Sequence, residues 1–303
     1  MEFIDLKKQY LQQKDSINKE IQSVLNDGRY INGPAVAELE ESLANFVGAK
    51  YCLGVSSGTD ALLIALMSLN IRPGDEVITT PFSFISTAEV IILLGATPIF
   101  VDIREDTFNL NPQLIESAIT SNTKAIMPVS LYGQIADMNE INEIANRHNL
   151  PVIEDGAQSF GATYNGKYSG NLSTIGCTSF FPSKPLGCYG DGGACFTDNG
   201  DLFKVMQEIR VHGQERRYHH SRIGINGRLD TLQAAILKAK LPFFKKEIIK
   251  RQLIGDLYTK LIKEKCKKVR PPIIMEKNKS IFGQYTILVD DREKAIDLLK
   301  QKG

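Results

Sequence analysis

The sequence predicts an α/β fold, with a mostly parallel central sheet in a large domain followed by a smaller C-terminal α/β unit. Three observations carry that reading. From Tyr51 onward, apolar strand-like runs alternate with helical stretches, the rhythm of βαβ units with helices on both faces of a sheet. After Pro151 the rhythm shortens to two brief strands around a glycine-rich turn, which resembles an antiparallel insertion. A long helical stretch at 231–263 then leads out of this domain into a second α/β pattern.

Residues 6–25 read as a charged helix stopped by Asn26-Asp27-Gly28. Gly33-Pro34 opens a second helix over 35–46, where Val36, Leu39, Leu43 and Phe46 recur at helical spacing. Strand-like runs follow at 51–55, 76–80, 97–101, 124–129 and 151–154, separated by helical stretches at 59–68, 86–94, 111–119 and 139–148. The short strands lie at 178–181 and 194–197. Pro242 falls within the long helical stretch and predicts a kink or break, because proline lacks the N–H and its ring crowds the preceding turn. Beyond it, 285–289 is strand-like and 292–300 helical, and Gln301-Lys302-Gly303 follows with no strand to close the unit. The expected division is a large cofactor-binding domain with an N-terminal helical segment over 1–240, then a linking helix and a partial, truncated small domain over 241–303.

Composition narrows the class. A chain of 303 residues, 43% hydrophobic and 23% charged, is long enough for a large core and ordinary for a globular protein. A net charge of +1 supplies no long-range field for nucleic acid or an anionic membrane, so anion binding must come from local geometry. The longest apolar runs, such as 90–94, are too short to span a bilayer. Met1-Glu2-Phe3-Ile4-Asp5-Leu6-Lys7-Lys8 places charges where a secretory signal needs apolar residues. Cysteines stand at 52, 177, 188, 195 and 266 with no C-x-x-C pair, so neither zinc nor a disulfide framework is expected, and a reduced cytoplasmic protein fits best. His219-His220 lacks a third ligand at metal spacing, and no metal site is expected.

Chemistry concentrates at the ends of the strand-like runs, where open α/β sheets place their ligands. Ser56-Ser57-Gly58-Thr59-Asp60 joins a strand to a helix; its hydroxyls, free backbone N–H groups and helix dipole suit a phosphate monoester, although a plain N-cap uses the same residues. Asp155 ends an apolar run, where it can keep a pyridine nitrogen protonated, or serve as a helix cap or loop ion-pair partner; Glu154 should point to the opposite face. Gln158 reads as a cofactor contact or a surface glutamine, and Phe84 as an aromatic that stacks on a flat ring or as core. Lys184 lies among Phe180, Phe181, Pro182, Pro185 and Leu186, apolar neighbours that fit a partly buried amine of lowered pKa, as a nucleophile needs. Ser179 and Ser183 are candidate phosphate donors. A carboxylate at a strand end followed by a lysine in a Ser/Gly-rich turn is the pair that a pyridoxal phosphate (PLP) enzyme requires. Arg216-Arg217-Tyr218-His219-His220 and Asn226-Gly227-Arg228 read either as solvated loop or as contacts to a phosphate-bearing substrate.

Several motifs in order make a more specific pattern: Tyr30-Ile31-Asn32-Gly33-Pro34, Ser57-Gly58-Thr59-Asp60-Ala61-Leu62, Pro128-Val129-Ser130-Leu131-Tyr132-Gly133-Gln134, Glu154-Asp155-Gly156-Ala157-Gln158-Ser159, Ser179-Phe180-Phe181-Pro182-Ser183-Lys184 and Gly224-Ile225-Asn226-Gly227-Arg228-Leu229-Asp230. In these the chain resembles the DegT/StrS family of PLP-dependent sugar aminotransferases, of fold type I (aspartate aminotransferase-like), from Phe3 to the last residue. The resemblance implies that Lys184 is the Schiff-base lysine, Asp155 the pyridinium partner, Gln158 the phenolic-oxygen contact and Phe84 the stacking aromatic. It implies a phosphate cup of Gly58, Thr59 and Ser179, completed by Asn226 of a second copy in a homodimer with shared active sites. Lysine at 184, where some relatives carry histidine and act as dehydratases, points to amination with L-glutamate as donor and a nucleotide-linked keto sugar as acceptor. The segments 179–193 and 216–220 look most similar to an enzyme that aminates an acidic UDP-sugar for bacterial surface polysaccharide (O-antigen). Arg216, Arg217, Tyr218 and Arg228 are then the expected substrate contacts. The competing readings are amination at C4 of a dTDP- or UDP-linked keto-deoxysugar, a PLP-dependent lyase or decarboxylase, and a non-catalytic relative.

Overall fold

The computed structural model describes residues 4–303, so Phe3, where the resemblance begins, lies outside the described residues. Helix α1 (Leu6–Asp27) is capped by Asp5, whose side chain accepts the Lys8 N–H at 2.8 Å, and ends at Gly28. Helix α2 (Pro34–Val47) opens on a proline, whose missing N–H would have been unpaired there in any case, and buries Val36, Leu39 and Leu43.

The alternating part then runs β1 (Tyr51–Val55), α3 (Gly58–Ser68), β2 (Glu76–Thr79), α4 (Ser86–Leu93), β3 (Thr97–Phe100), α5 (Ile115–Ala118), β4 (Thr123–Ile126), α6 (Met138–Arg147) and β5 (Ile153–Asp155). A small hairpin of β6 (Thr163–Tyr164) and β7 (Lys167–Tyr168) precedes β8 (Ile175–Ser179), β9 (Gly193–Thr197) and α7 (Gly200–Arg210). An outlying ribbon pairs β10 (Gln214–Arg216) with β11 (His219–His220) before the long helix α8 (Thr231–Lys265). The C-terminal part adds β12 (Val269–Arg270), β13 (Asn278–Lys279), β14 (Leu288–Val289) and α9 (Arg292–Gln301), with β12 antiparallel to β14 and β13 to β6.

The main strands form one sheet. β2 lies parallel between β3 and β4, and β5 is parallel to β8. Backbone bonds from Ile126 N–H to the Pro151 carbonyl (3.1 Å) and from Asp155 N–H to the Pro128 carbonyl (2.9 Å) join the two groups in parallel. β9 is antiparallel to both β8 and β1, so the order is β3-β2-β4-β5-β8-β9-β1 with β9 alone reversed. The free edge of β1 is covered: Glu40 Oε1 accepts the Gly54 N–H at 2.7 Å and Arg210 donates to the Gly54 carbonyl at 2.9 Å.

Strand residues alternate between two buried layers, as a sheet covered on both faces requires. Cys52, Ile78, Ile126 and Phe196 face α2, α6 and α8, whereas Leu53, Val77, Ala125 and Cys195 face α3, α4 and α7. The first layer centres on Phe160, whose ring centroid lies 5.4–6.0 Å from those of Phe46, Phe180, Phe196 and Phe244. Cys177 and Cys195 pair across β8 and β9 as buried free thiols.

Three expectations need correction. The strand expected at 178–181 is Ile175–Ser179: Ile175 and Cys177 pair with Ile153 and Asp155, and the chain leaves the sheet after Ser179 to form the Lys184 turn. The helix expected at 111–119 is a 3-10 turn (Pro112–Leu114) and the four residues of α5, of which only Ile115 is buried. Helix α8 runs through Pro242 without a break, because Pro242 sits on its exposed side while Leu237, Phe244 and Ile248 lock the opposite side into the core.

Phe160→Ala should remove the hub of the aromatic layer and cost about 3–5 kcal/mol of stability. Denaturant unfolding measures this, and a loss near zero would contradict the packing.

Candidate active site

The carboxyl ends of the parallel strands place the chain's chemistry along one edge. After β1, Ser57 caps α3: its Oγ accepts the Asp60 N–H at 3.0 Å, and its carbonyl accepts the Ala61 N–H at 3.0 Å. Among the described residues, the N–H groups of Gly58 and Thr59 find no acceptor and point out of the helix start as an anion site. Gly58 is required there, since an added Cβ would lie 2.6 Å from the Ser179 Cβ. That close approach brings the end of β8 against the first turn of α3.

Asp155 ends β5, 5% exposed. Its Oδ2 accepts the Thr87 hydroxyl at 2.8 Å, and its Oδ1 accepts the Ala157 N–H at 3.2 Å. Burial pushes the Asp155 carboxyl above its ordinary pKa, opposed by Thr87, the Ala157 N–H and the charge of Lys184. Lys184 is half-buried, its backbone N–H bonded to the Phe181 carbonyl at 2.8 Å. Burial lowers the Lys184 pKa, and the Asp155 charge acts against it. Glu154 turns to the opposite face as its alternation demands. There it accepts from Ser130 Oγ (3.0 Å), Ser169 Oγ (2.8 Å) and Gly170 N–H (2.8 Å), a structural role.

A cavity of about 420 Å³ is lined by Ser57, Gly58, Thr59, Phe84, Asp155, Gln158, Ser179, Ser183 and Lys184. Gln158 Oε1 accepts the Tyr132 N–H at 2.9 Å, which orients the carboxamide so that its NH₂ is the group left to donate. Tyr132 reaches that position in a left-handed conformation, φ 57°. Phe84 stands at the mouth, 67% exposed, whereas Phe82 packs against Phe108 and Tyr132. The cavity can therefore take an anion at the start of α3, a cationic ring nitrogen at Asp155 and a carbonyl carbon at Lys184.

The other expected site residues do not line this cavity. Arg216 lies in the exposed β10–β11 ribbon, and Arg217 stacks over Tyr218 at its tip, 5.1 Å from the ring centroid. Asn226 is exposed beside Val211, and Arg228 bridges to Val55 with a buried Nε that has no partner among the described residues. Sequence reasoning missed Thr87 and Tyr132. Thr87 was legible only as a hydroxyl in the first turn of a helix that follows an edge motif; the Tyr132 backbone contact leaves no signal in residue type. No group of three or more His, Cys, Asp or Glu side chains able to hold a metal occurs among the described residues, and no described helix is long and apolar enough to cross a membrane.

The chain belongs to the DegT/DnrJ/EryC1/StrS aminotransferase family, whose family model matches residues 11–303. It is 56% identical over 303 residues to UDP-2-acetamido-2-deoxy-3-oxo-D-glucuronate aminotransferase of Pseudomonas aeruginosa, covering 100% of this chain and 84% of that protein. It is 44% identical over 301 residues to a pleiotropic regulatory protein of Geobacillus stearothermophilus, covering 99% of this chain and 81% of that protein. Among solved structures, NtdA of Bacillus subtilis with bound cofactor PMP has a TM-score of 0.91 at 34% identity, covering 99% of this chain and 69% of that one.

Because the folded Asp155 binds its proton more tightly than the unfolded one, the protein without cofactor loses stability as pH rises from the unfolded value through the folded one. Asp155→Asn should remove the Asp155 part of that loss and leave the part due to Glu154, whose pKa burial also raises, since Asn can donate to Thr87 Oγ1 while Thr87 turns its hydroxyl to Ser83, 2.9 Å away. Thermal melts of cofactor-free protein should then show the variant more stable near neutral pH, with the gain shrinking toward the ordinary carboxylate range. Parallel wild-type and variant profiles would contradict this.

Proposed function

We propose that this protein is a PLP-dependent aminotransferase that moves the amino group of L-glutamate to C3 of UDP-2-acetamido-2-deoxy-3-oxo-D-glucuronate, in bacterial surface polysaccharide (O-antigen) synthesis in the cytoplasm. The observation that carries this reading is the convergence of Lys184, Asp155 and the open start of α3 on one cavity, in a chain 56% identical to an aminotransferase of that name.

The cavity's chemistry matches PLP part by part. The Gly58 and Thr59 N–H groups and the Ser179 hydroxyl suit its phosphate, Asp155 its ring nitrogen, the Gln158 NH₂ its phenolic oxygen and Phe84 its ring face. When bound, PLP supplies an electron-poor ring that stores the electron pair left when a proton departs from the donor's α-carbon. Asp155 would hold the ring nitrogen cationic, and that positive charge would offset the cost of burying the carboxylate. Thr87 and the Ala157 N–H fix the carboxylate's orientation. Lys184 Nζ anchors the cofactor. Once freed, its amine takes the proton from the donor α-carbon, and in the second half-reaction it delivers a proton to C3 of the sugar. Burial assists by favouring the neutral amine.

The exposed Arg216, Arg217, Tyr218 and Asn226, with the half-buried Arg228, lie outside their own cavity, which supports a homodimer in which they complete the partner's site. Asn226 would reach the partner's phosphate group, and the arginines the acidic sugar and its diphosphate. The regulatory name of the Geobacillus relative raises the non-catalytic alternative; a cavity retaining Lys184, Asp155 and Gln158 favours catalysis.

The direct test incubates the PLP-loaded protein with L-glutamate and a panel of nucleotide keto sugars and identifies the aminated product by mass spectrometry. No aminated sugar from any acceptor would contradict the proposal. Lys184→Ala should abolish turnover and the visible absorption of the lysine-linked cofactor, while the phosphate site retains some PLP. Arg228→Ala should raise KM for the sugar nucleotide about tenfold, the equivalent of one hydrogen bond of about 1.4 kcal/mol. An unchanged KM would remove Arg228 from the site.

A further inference from the structure

We propose that Lys240 is a positioning residue for Lys184, holding the turn that carries it from the side opposite the cavity; this rests on the transaminase reading of Lys184. Lys240 lies on α8 and is 3% exposed, a rare placement for an ammonium group unless it is well partnered. Among the described residues it has no carboxylate within ion-pair distance. Its Nζ instead donates to the Gly187 carbonyl and to Gln9 Oε1 (2.9 Å), and lies 5.0 Å from the centroid of the Tyr189 ring. Burial pushes the Lys240 pKa down to about 8, against the distant charge of Glu247.

The partner chosen is what gives this arrangement a function. Between Ser179 and Gly193 the chain leaves the sheet and must present Lys184 to the cavity without strand pairing. It closes on itself: Lys184 N–H bonds the Phe181 carbonyl and Cys188 N–H bonds the Phe180 carbonyl, each at 2.8 Å. Gly187 is the closing residue, where any side chain would collide with the Pro182 carbonyl. Lys240 grips the carbonyl of that residue, and Gln233, also on α8, accepts the Tyr189 N–H at 2.9 Å. Helix α8 thus ties the returning limb of the turn to the core, and through Gln9 to α1. Lys240 does not line the cavity, so it acts through the turn rather than on substrate.

The test compares wild type, Lys240→Met and Lys240→Arg, with Lys240→Gln, whose shorter side chain cannot reach the Gly187 carbonyl, if the methionine variant does not fold. Two readouts are taken: hydrogen exchange of residues 180–190 in cofactor-free protein, and kcat with KM for L-glutamate in the PLP-loaded enzyme. Removing the donor should speed exchange in 180–190 about tenfold while β8 and β9 keep their protection, a local opening. It should lower kcat about tenfold with KM for glutamate nearly unchanged, as expected when a reacting amine is misplaced while substrate binding stays intact. Lys240→Arg should restore part of both. Wild-type exchange and kcat in the methionine or glutamine variant, or a uniform loss of protection across the sheet, would overturn the proposal. A wild-type protein that takes up PLP but does not deaminate glutamate would overturn the transaminase reading instead, and the exchange comparison still decides whether Lys240 orders the turn.

Discussion

A carboxylate buried at the end of a strand is the constraint around which this fold is arranged. Asp155 has two hydrogen-bond donors and the nearby charge of Lys184, and burial still pushes its pKa up. A site with that balance is incomplete by itself and gains most from a cation placed against the free side of the carboxylate. Glu154, its neighbour in sequence, is the contrasting case. It is as deeply buried and its pKa is also raised, but Ser130, Ser169 and Gly170 occupy its oxygens and it lines no part of the cavity. One strand therefore carries a fully bonded acid on one face and a cavity-lining one on the other.

The rest of the sheet serves to bring distant segments to that carboxylate. Thr87 comes from α4, the free N–H groups from α3, Ser179 from β8, and Lys184 from the turn between β8 and β9. The reversal of β9 makes this possible: its antiparallel course returns the chain beside β8, so the lysine-bearing turn stays at the carboxyl edge instead of crossing over a face. Contact between Gly58 and Ser179 then sets the distance between the start of α3 and the lysine turn. Helix α8 backs the same turn, so it takes part in a site that it does not line.

Much of this was legible from residue order. The alternation of apolar runs located β1 to β5 within two or three residues, and period-two alternation separated Glu154 from Asp155. Lys184, Gly58, Phe84, Gln158 and Ser179, read from edge motifs, share one cavity. What stayed hidden depended on contacts between segments far apart in sequence. The start of β8 contains Gly176, follows Thr174 and lacks a long apolar run, so pairing with β5 decides it. The hairpin β6–β7 lies where turn residues mask the period. Proline's usual breaking of a helix failed at Pro242, because tertiary packing overrode a local cost of about 3 kcal/mol.

Lys184, and no other amine, should be the covalent partner of the cofactor in this cavity. Borohydride reduction of the PLP-loaded protein followed by peptide mass mapping tests it most directly. One modified residue per chain is expected, Lys184, with modification lost in Lys184→Ala. Modification centred on another lysine, or scattered over the surface lysines, would contradict it.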